Sequence, residues 1–387
     1  MAAEPIRRAT APDLRDAKTI GATANASAWI LGYVTADTSA RSWPDGKVEA
    51  VFTGRFATYS DDPAGNWPWD EARCPVARTE PLGSSGLTLL RMAQPCFDNA
   101  QRGGYYYPGR GVHGRGDDQA VGIPDHFENR ASPLRPGEFW AADDSVTFRA
   151  AVKPTTAVVP LLESLLEIDG ASGVVVQGLT FEAATWHKPS SSVGYVDLQA
   201  GATVSRNLSD YPHAGWDLMP ASVEVRGSAD VMIQQSTFRH LGGGGVKVGN
   251  GSRDCRIEGC LLEDISGCGI MLGGVANKSL ENATADALRL SAVNNHLRDV
   301  PVEYHGSVGI FACAKTVFFG CHLQLSDRCC RHKGLPRLGR DCAQPHGAAQ
   351  LLVSLPPAPC CDCAFSRLTE SRWRSGVNLG CEPPRYC

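Results

Sequence analysis

Between residues 166 and 326, apolar and polar residues alternate in runs of three to five, separated by Gly, Asn, Ser and Asp. A period of two marks strands, and nothing in this stretch gives the broad apolar stripe of a helix. The alternation also repeats at longer range. "FRHLGGGGVKVG" is answered by "LEDISGCGIMLGG", with Phe238 and Leu262 24 positions apart, and "LEIDGASGVVVQGLTF" (166–181) overlies "VEVRGSADVMIQQSTF" (223–238) residue for residue. "LRLSAVNNHLRDV" and "GIFACAKTVFFGCHL" fall into the same frame, so Phe181, Phe238, Leu262, Leu297 and Leu323 mark five coils. One short strand cannot bury its apolar face by itself, so stacked coils must share a core. The pattern predicts an all-β protein centred on a right-handed parallel β-helix, its coils about 4.8 Å apart and those five residues in one inward stack.

Outside the helix expected over 161–326, the pattern changes. Residues 1–42 give weak strand signals around "WILGYVTA" and read as a remnant of earlier coils. Residues 43–160, rich in Trp, Pro, Gly and Asp, read as an irregular β-rich domain with long loops. From 327 to 387 the alternation stops, "SLPPAPCCDC" breaks any strand, and eight of the fifteen cysteines are concentrated there; this is expected to be a poorly ordered tail. Its Cys360, Cys361, Cys363, Cys381 and His346 do not supply the two CxxC pairs of a zinc site.

Coil frames place equivalent residues in columns. Glu182, Arg239, Glu263, Arg298 and Gln324 form a ladder of alternating charge, a structural feature of an exposed surface. One residue on, Ala183, His240, Asp264 and Asp299 fall at the turn that ends the strand. Polar residues stacked at a bend cap free backbone groups, which is the structural reading. The catalytic reading is that two carboxylates about 5 Å apart suit a retaining glycosidase. Two insertions leave from this corner: a long one, "TWHKPSSSVGYVDLQAGATVSRNLSDYPHAGWDLMP", and a short one, "PVEYHGS". They gather Trp186, His187, Tyr195, Asp197, Trp216, Asp217, Glu303, Tyr304 and His305 along one edge, where aromatic faces and polar groups suit sugar rings. A third column, Glu167, Glu224, Lys247, Met271 and Phe311, points outward, with Lys247 neutralising Glu224; it holds no three carboxylates to cage calcium.

Composition narrows the function classes. A net charge of −4, 20% charged residues and no basic run interleaved with aromatics give no case for nucleic acid. The longest apolar runs, such as "AVVPLLESLL", are too short to cross a bilayer, and "MAAEPIRRATAPDLRDAKTIG" carries charge where the apolar stretch of a signal peptide would begin. Cys74 and Cys96 are expected to pair in an oxidising compartment; Cys255, Cys260, Cys268, Cys313 and Cys321 read as buried thiols, with Cys260 and Cys321 at equivalent frames. Sequons stand at Asn25, Asn207, Asn250, Asn277 and Asn282.

"GLTFEAATWHKPSSSVGYVDLQAG", "FRHLGGGGVKVGNGS", "DISGCGIMLGG" and "PVEYHGSVGIFA", with "EARCPV" and "MAQPCFDN" upstream, resemble the right-handed parallel β-helix repeat proteins of the pectate-lyase-like superfamily, nearest the β-helix glycoside hydrolases. The resemblance spans roughly residues 43–326 and implies an extracellular protein that acts on a polysaccharide or oligosaccharide. Such proteins begin with a secretion signal and further coils. After the part matching "VFFGCHLQLSD" they continue with Gly- and Trp-rich coils, where this chain has its Cys-rich tail, so an inactive form is also implied. The expected activity is glycoside hydrolysis, with Asp264, Asp299 and Glu303 as acid and nucleophile candidates and Trp186, His187, Tyr195, Trp216, His240 and His305 binding the sugar. A polysaccharide lyase and a non-catalytic carbohydrate-binding β-helix are the alternatives. No cofactor, metal, nucleic acid or membrane enters this reading, and a monomer is expected.

Overall fold

A computed structural model describes residues 7–8, 18–19, 32–53, 71–102, 124, 126–130, 134–142, 145–199, 201–204, 216–249, 251–274, 287–304, 306–312 and 320–325. The expected tail at 327–387, His305, Cys313 and all five sequon asparagines lie outside them. Among the described residues, apart from short 3-10 turns and one α-helix, Cys96–Arg102, the regular structure is strand, in line with the all-β expectation.

Described strands between 166 and 325, apart from those of the long insertion, build stacked parallel layers. One sheet runs Leu166–Asp169, Ala221–Arg226, Gly244–Val248, Ile270–Leu272 and Ile310–Ala312, each strand parallel to the next. A second sheet carries two parallel runs, Val175–Gln177 to Met232–Gln234 to Arg256–Glu258, and Thr180–Glu182 to Thr237–Leu241 to Leu261–Ile265. Both runs end on Ser291–Arg298. The register follows the sequence frame: Phe181 faces Phe238, Phe238 faces Leu262, and Leu262 faces Leu297. All four are buried, and the two phenyl rings stack 5.1 Å apart.

The fifth member of that stack is a correction. A register shift between Val293 and Asn295 sets Leu323 against Asn295 and brings Leu325 opposite Leu297. A strand slipped by two residues keeps the same face toward the core, so alternation alone cannot separate Leu323 from Leu325. The same shift pairs Gln324 with His296, not Arg298, and Cys321 with Ala292, which lies in the frame of Ile257 and not of Cys260.

Each layer turns by left-handed residues at repeated positions. Gly173, Asp230, Asp254 and Arg289 form one such column, Gly178, Gln235, Gly259 and Asn294 a second, and Ala183, His240, Asp264 and Asp299 a third, with φ between 50° and 73° throughout. Only Gly enters this region without steric cost, and Asn and Asp tolerate it better than other residues, which explains why these letters punctuate the strands. Inside one corner, the buried Asn295 accepts from the Cys260 N–H at 2.9 Å and donates to the Ile257 carbonyl at 3.0 Å. Cys255, Cys260 and Cys268 are buried thiols, as expected, and burial raises the pKa of all three, that of Cys268 to about 12.

The upstream chain forms a mainly antiparallel sheet. Glu71–Pro81 is its centre, flanked by Thr88–Met92, Glu49–Thr53 and Tyr195–Gln199. Gly32–Thr35, in the segment read as remnant coils, pairs antiparallel with Thr88–Met92. Cys74 and Cys96 form the expected disulfide. The long insertion supplies strands to this sheet: Tyr195–Gln199 lies against Glu71–Pro81, and Ala202–Val204 and Trp216–Leu218 continue outward. Beside the point where the insertion returns to the layers, the glycine run is sterically required, because a Cβ on Gly245 would meet the Gly269 carbonyl oxygen and one on Gly243 the Pro220 carbonyl oxygen.

Asn295→Ala removes both corner hydrogen bonds and leaves the buried Cys260 N–H without its acceptor, so it is expected to cost about 1–3 kcal/mol in urea unfolding. An unchanged midpoint would show that the corner does not depend on it.

Candidate functional site

Alternation in Glu71–Pro81 sends Ala72, Cys74 and Val76 into an apolar core with Phe97 and Phe127, and so turns Glu71 and Arg73 to the other face. Register brings neighbours onto that face. Tyr195 lies opposite Arg73, Asp197 falls two residues beyond Tyr195, and Glu128 reaches across from His126–Glu128. The short insertion from the stacked layers meets this face. Its backbone is pinned to the preceding turn by Val302 N–H to the Ile265 carbonyl and by Glu303 and Tyr304 N–H to the Ser266 carbonyl.

Arg73 joins the two bodies. Its Nε pairs with Glu71, its Nη1 lies 2.7 Å from Glu128 Oε2 and 3.3 Å from Glu303 Oε1, and its guanidinium sits 5.6 Å from the centre of the Tyr304 ring. Burial opposes its charge, but Glu71, Glu128 and Glu303 outweigh that and raise its pKa well above the ordinary value. His126 Nε2 lies 3.0 Å from the other Glu128 oxygen. Glu303 also accepts from the Ser266 hydroxyl at 3.3 Å. Among the three carboxylates on Arg73, the side chains of Glu71 and Glu128 are 0% and 11% exposed and that of Glu303 is 38% exposed, so Glu303 is the one open to an incoming molecule.

Beneath this network Trp186, Tyr195 and Tyr304 form an aromatic triangle with ring centroids 4.7–5.5 Å apart. Burial, then the charges of Asp197 and Glu71, push the Tyr195 phenol well above its usual pKa. The expectation that Trp186 and Tyr195 offer sugar-binding faces is corrected: they are 8% and 0% exposed, because the insertion closes over the layers as sheet and not as open loop. They pack with Met271 and Phe311 and so also cover the end of the column expected to point outward. That column's register is as read, and Lys247 Nζ lies 2.8 Å from Glu224.

The remaining candidates are distributed along the corner. Asp264 and Asp299 occupy consecutive layers with φ 52° each, and His240 Nδ1 lies 2.7 Å from Asp264 Oδ2 in an exposed contact. His187 is exposed; its backbone N–H donates to Glu163 and its ring lies 3.1 Å from the Leu161 carbonyl. Trp216 stands in a strand opposite Val204, away from the Arg73 register. Glu71, Arg73 and Glu128 went unnoticed in the sequence, although "EAR" at 71–73 already implies two opposite charges on one strand face. Among the described residues, no group of three or more His, Cys, Asp or Glu is placed to hold a metal ion, and no helix is long and apolar enough to cross a membrane.

Arg73→Met would leave Glu71 and Glu128 buried without their cation, and a loss of about 3–5 kcal/mol is expected. Chemical denaturation of the variant checks this, and a loss below about 1 kcal/mol would place the network's charges in water.

No family model matches the chain, and no curated protein matches it. Among solved structures, one described as "Glycoside hydrolase" aligns with a TM-score of 0.54 and 18% identity, over 81% of this chain. The chain spans 55% of that structure's length. At this identity the likeness is one of fold, and the all-β chain shares its architecture with a protein of that description.

Proposed function

We propose that this protein is carbohydrate-active, that its parallel layers close into a right-handed β-helix, and that it hydrolyses glycosidic bonds in a polysaccharide or oligosaccharide. The observation that carries the reading is Glu303: a part-open carboxylate fixed by Arg73 and Ser266, on the insertion that leaves the corner where Asp264 and Asp299 stack. Support for the substrate class comes from the fold likeness to a structure described as a glycoside hydrolase. The Cys74–Cys96 disulfide fits a secreted protein.

Hydrolysis with retention needs two carboxyl groups about 5–5.5 Å apart, and inversion needs about 6.5–9.5 Å. Neighbouring strands stack about 4.8 Å apart, so the backbones of Asp264 and Asp299 are spaced close to the separation that retention asks of the carboxyl groups, which supports this reading. In this assignment one aspartate attacks the anomeric carbon. The other, as the acid, gives its proton to the departing oxygen and then takes one from the water that releases the sugar. His240 orients Asp264 through its 2.7 Å contact. Glu303 stands as the further carboxylate at the mouth of the Arg73 network. Three carboxylates engage Arg73, so its charge is committed within the protein. This favours hydrolysis over a lyase reaction, in which a free cation would hold a uronate.

The test is reducing-sugar release against unsaturated-product absorbance over a polysaccharide panel. Asp264→Asn, Asp299→Asn and Glu303→Gln are compared at matched thermal stability. Hydrolysis is expected, with a loss of about 10²-fold or more in at least one aspartate variant. Unchanged rates in both aspartate variants would move the chemistry to Glu303. Unchanged rates in all three, or unsaturated products, would overturn the assignment.

A further inference from the structure

Leu166–Asp169, Val175–Gln177 and Thr180–Glu182 form the first layer of the stack, each the last strand in its parallel run. Among the described residues, no strand pairs with their outer edges. The layer is also slightly less covered than the one behind it. Ile168, Val176 and Phe181 are each 7% exposed, against 0–1% for Val225, Ile233 and Phe238 directly behind them. Around them Val175 and Leu179 are 59% and 50% exposed, and Leu161 and Leu162 project from the segment leading into the layer. Three strand edges with no partner among the described residues, bordered by apolar side chains, are a template for strand addition.

The charge ladder specifies what would fit. Deeper in the stack, Glu263 lies in register with Arg239 on one side and Arg298 on the other. Glu182 has Arg239 on its inner side, 2.7 Å away, and none in register beyond. Glu167 and Asp169 likewise meet Arg226 from the inner layer alone, at 2.9 and 3.9 Å, and keep side-chain exposures of 55% and 70%. A second copy docking through the same edge would set Glu167, Asp169 and Glu182 against their own counterparts, a like-charge juxtaposition that destabilises pairing.

We propose that this edge is a docking site for another polypeptide, which adds as extended strand with apolar residues over Val176 and Phe181 and cationic residues opposite Glu182 and the Glu167–Asp169 pair. Main-chain hydrogen bonds to the open edges supply affinity, and the acidic frames supply selectivity. The proposal is independent of any catalytic activity.

The probe is a fluorescein-labelled synthetic peptide of residues 221–241, which carries Arg226 and Arg239 at the required frames. Fluorescence anisotropy with the full chain is expected to rise and saturate. Charge reversal in the peptide, Arg226→Glu with Arg239→Glu, is expected to weaken binding at least about tenfold. Leu179→Asp in the protein should do the same. Leu179 is exposed, so this variant should keep its thermal midpoint, and it separates the first layer from the far end of the stack. Absence of saturable binding, equal binding of the charge-reversed peptide, or insensitivity to Leu179→Asp would each overturn the proposal. So would self-association in sedimentation velocity that Leu179→Asp abolishes, because the occupant would then be a second copy.

Discussion

Everything in the stacked part of this protein depends on the chain bending at the same place in every layer. The bend is a single residue with positive φ, held at 52° to 62° in Ala183, His240, Asp264 and Asp299. Because these bends coincide, side chains one residue earlier form the Glu182–Arg239 and Glu263–Arg298 pairs, and those one residue before that form the Phe181 stack. A non-glycine residue in this conformation costs roughly 1 kcal/mol, and each layer accepts that cost because the layer behind it has the same shape.

The second organising contact is Arg73. An antiparallel sheet built around Glu71–Pro81 and a stack of parallel strands have no common hydrogen-bond register. They meet through side chains instead, as a guanidinium reaching Glu303 and an aromatic triangle drawn from both bodies. The geometry makes one carboxylate part-open and keeps two others closed. In this way a framework of short strands, each individually weak, presents a charged group at a defined place.

How much of this was readable in advance follows from the range of the interactions. The layer frame, the corner column and the Lys247–Glu224 pair follow from spacing along the chain, the Cys74–Cys96 bond from two cysteines of the upstream region in an oxidising compartment, and the structure has them. The slip that exchanges Leu325 for Leu323 was hidden, because a shift of two residues leaves the alternation unchanged. Tyr195 and Trp186 were misread for a different reason. Their insertion is polar and aromatic like a binding loop, and only its pairing with a strand more than a hundred residues upstream shows that the rings are interior. Arg73 and Glu128 escaped notice on the same ground, since no local pattern says which distant carboxylates a strand will meet.

The Arg73–Glu303 contact joins residues 230 positions apart, whereas Arg73 and Glu128 are 55 apart. Closing the longer loop costs more chain entropy, and Glu303 takes its position from the neighbouring layer, where its N–H bonds the Ser266 carbonyl. A chain made from its N-terminus therefore holds Arg73 against its two near carboxylates first and acquires the third at the end. The part-open carboxylate at the meeting of the two bodies is thus made long after its cation, and its place is set by the layer that carries it.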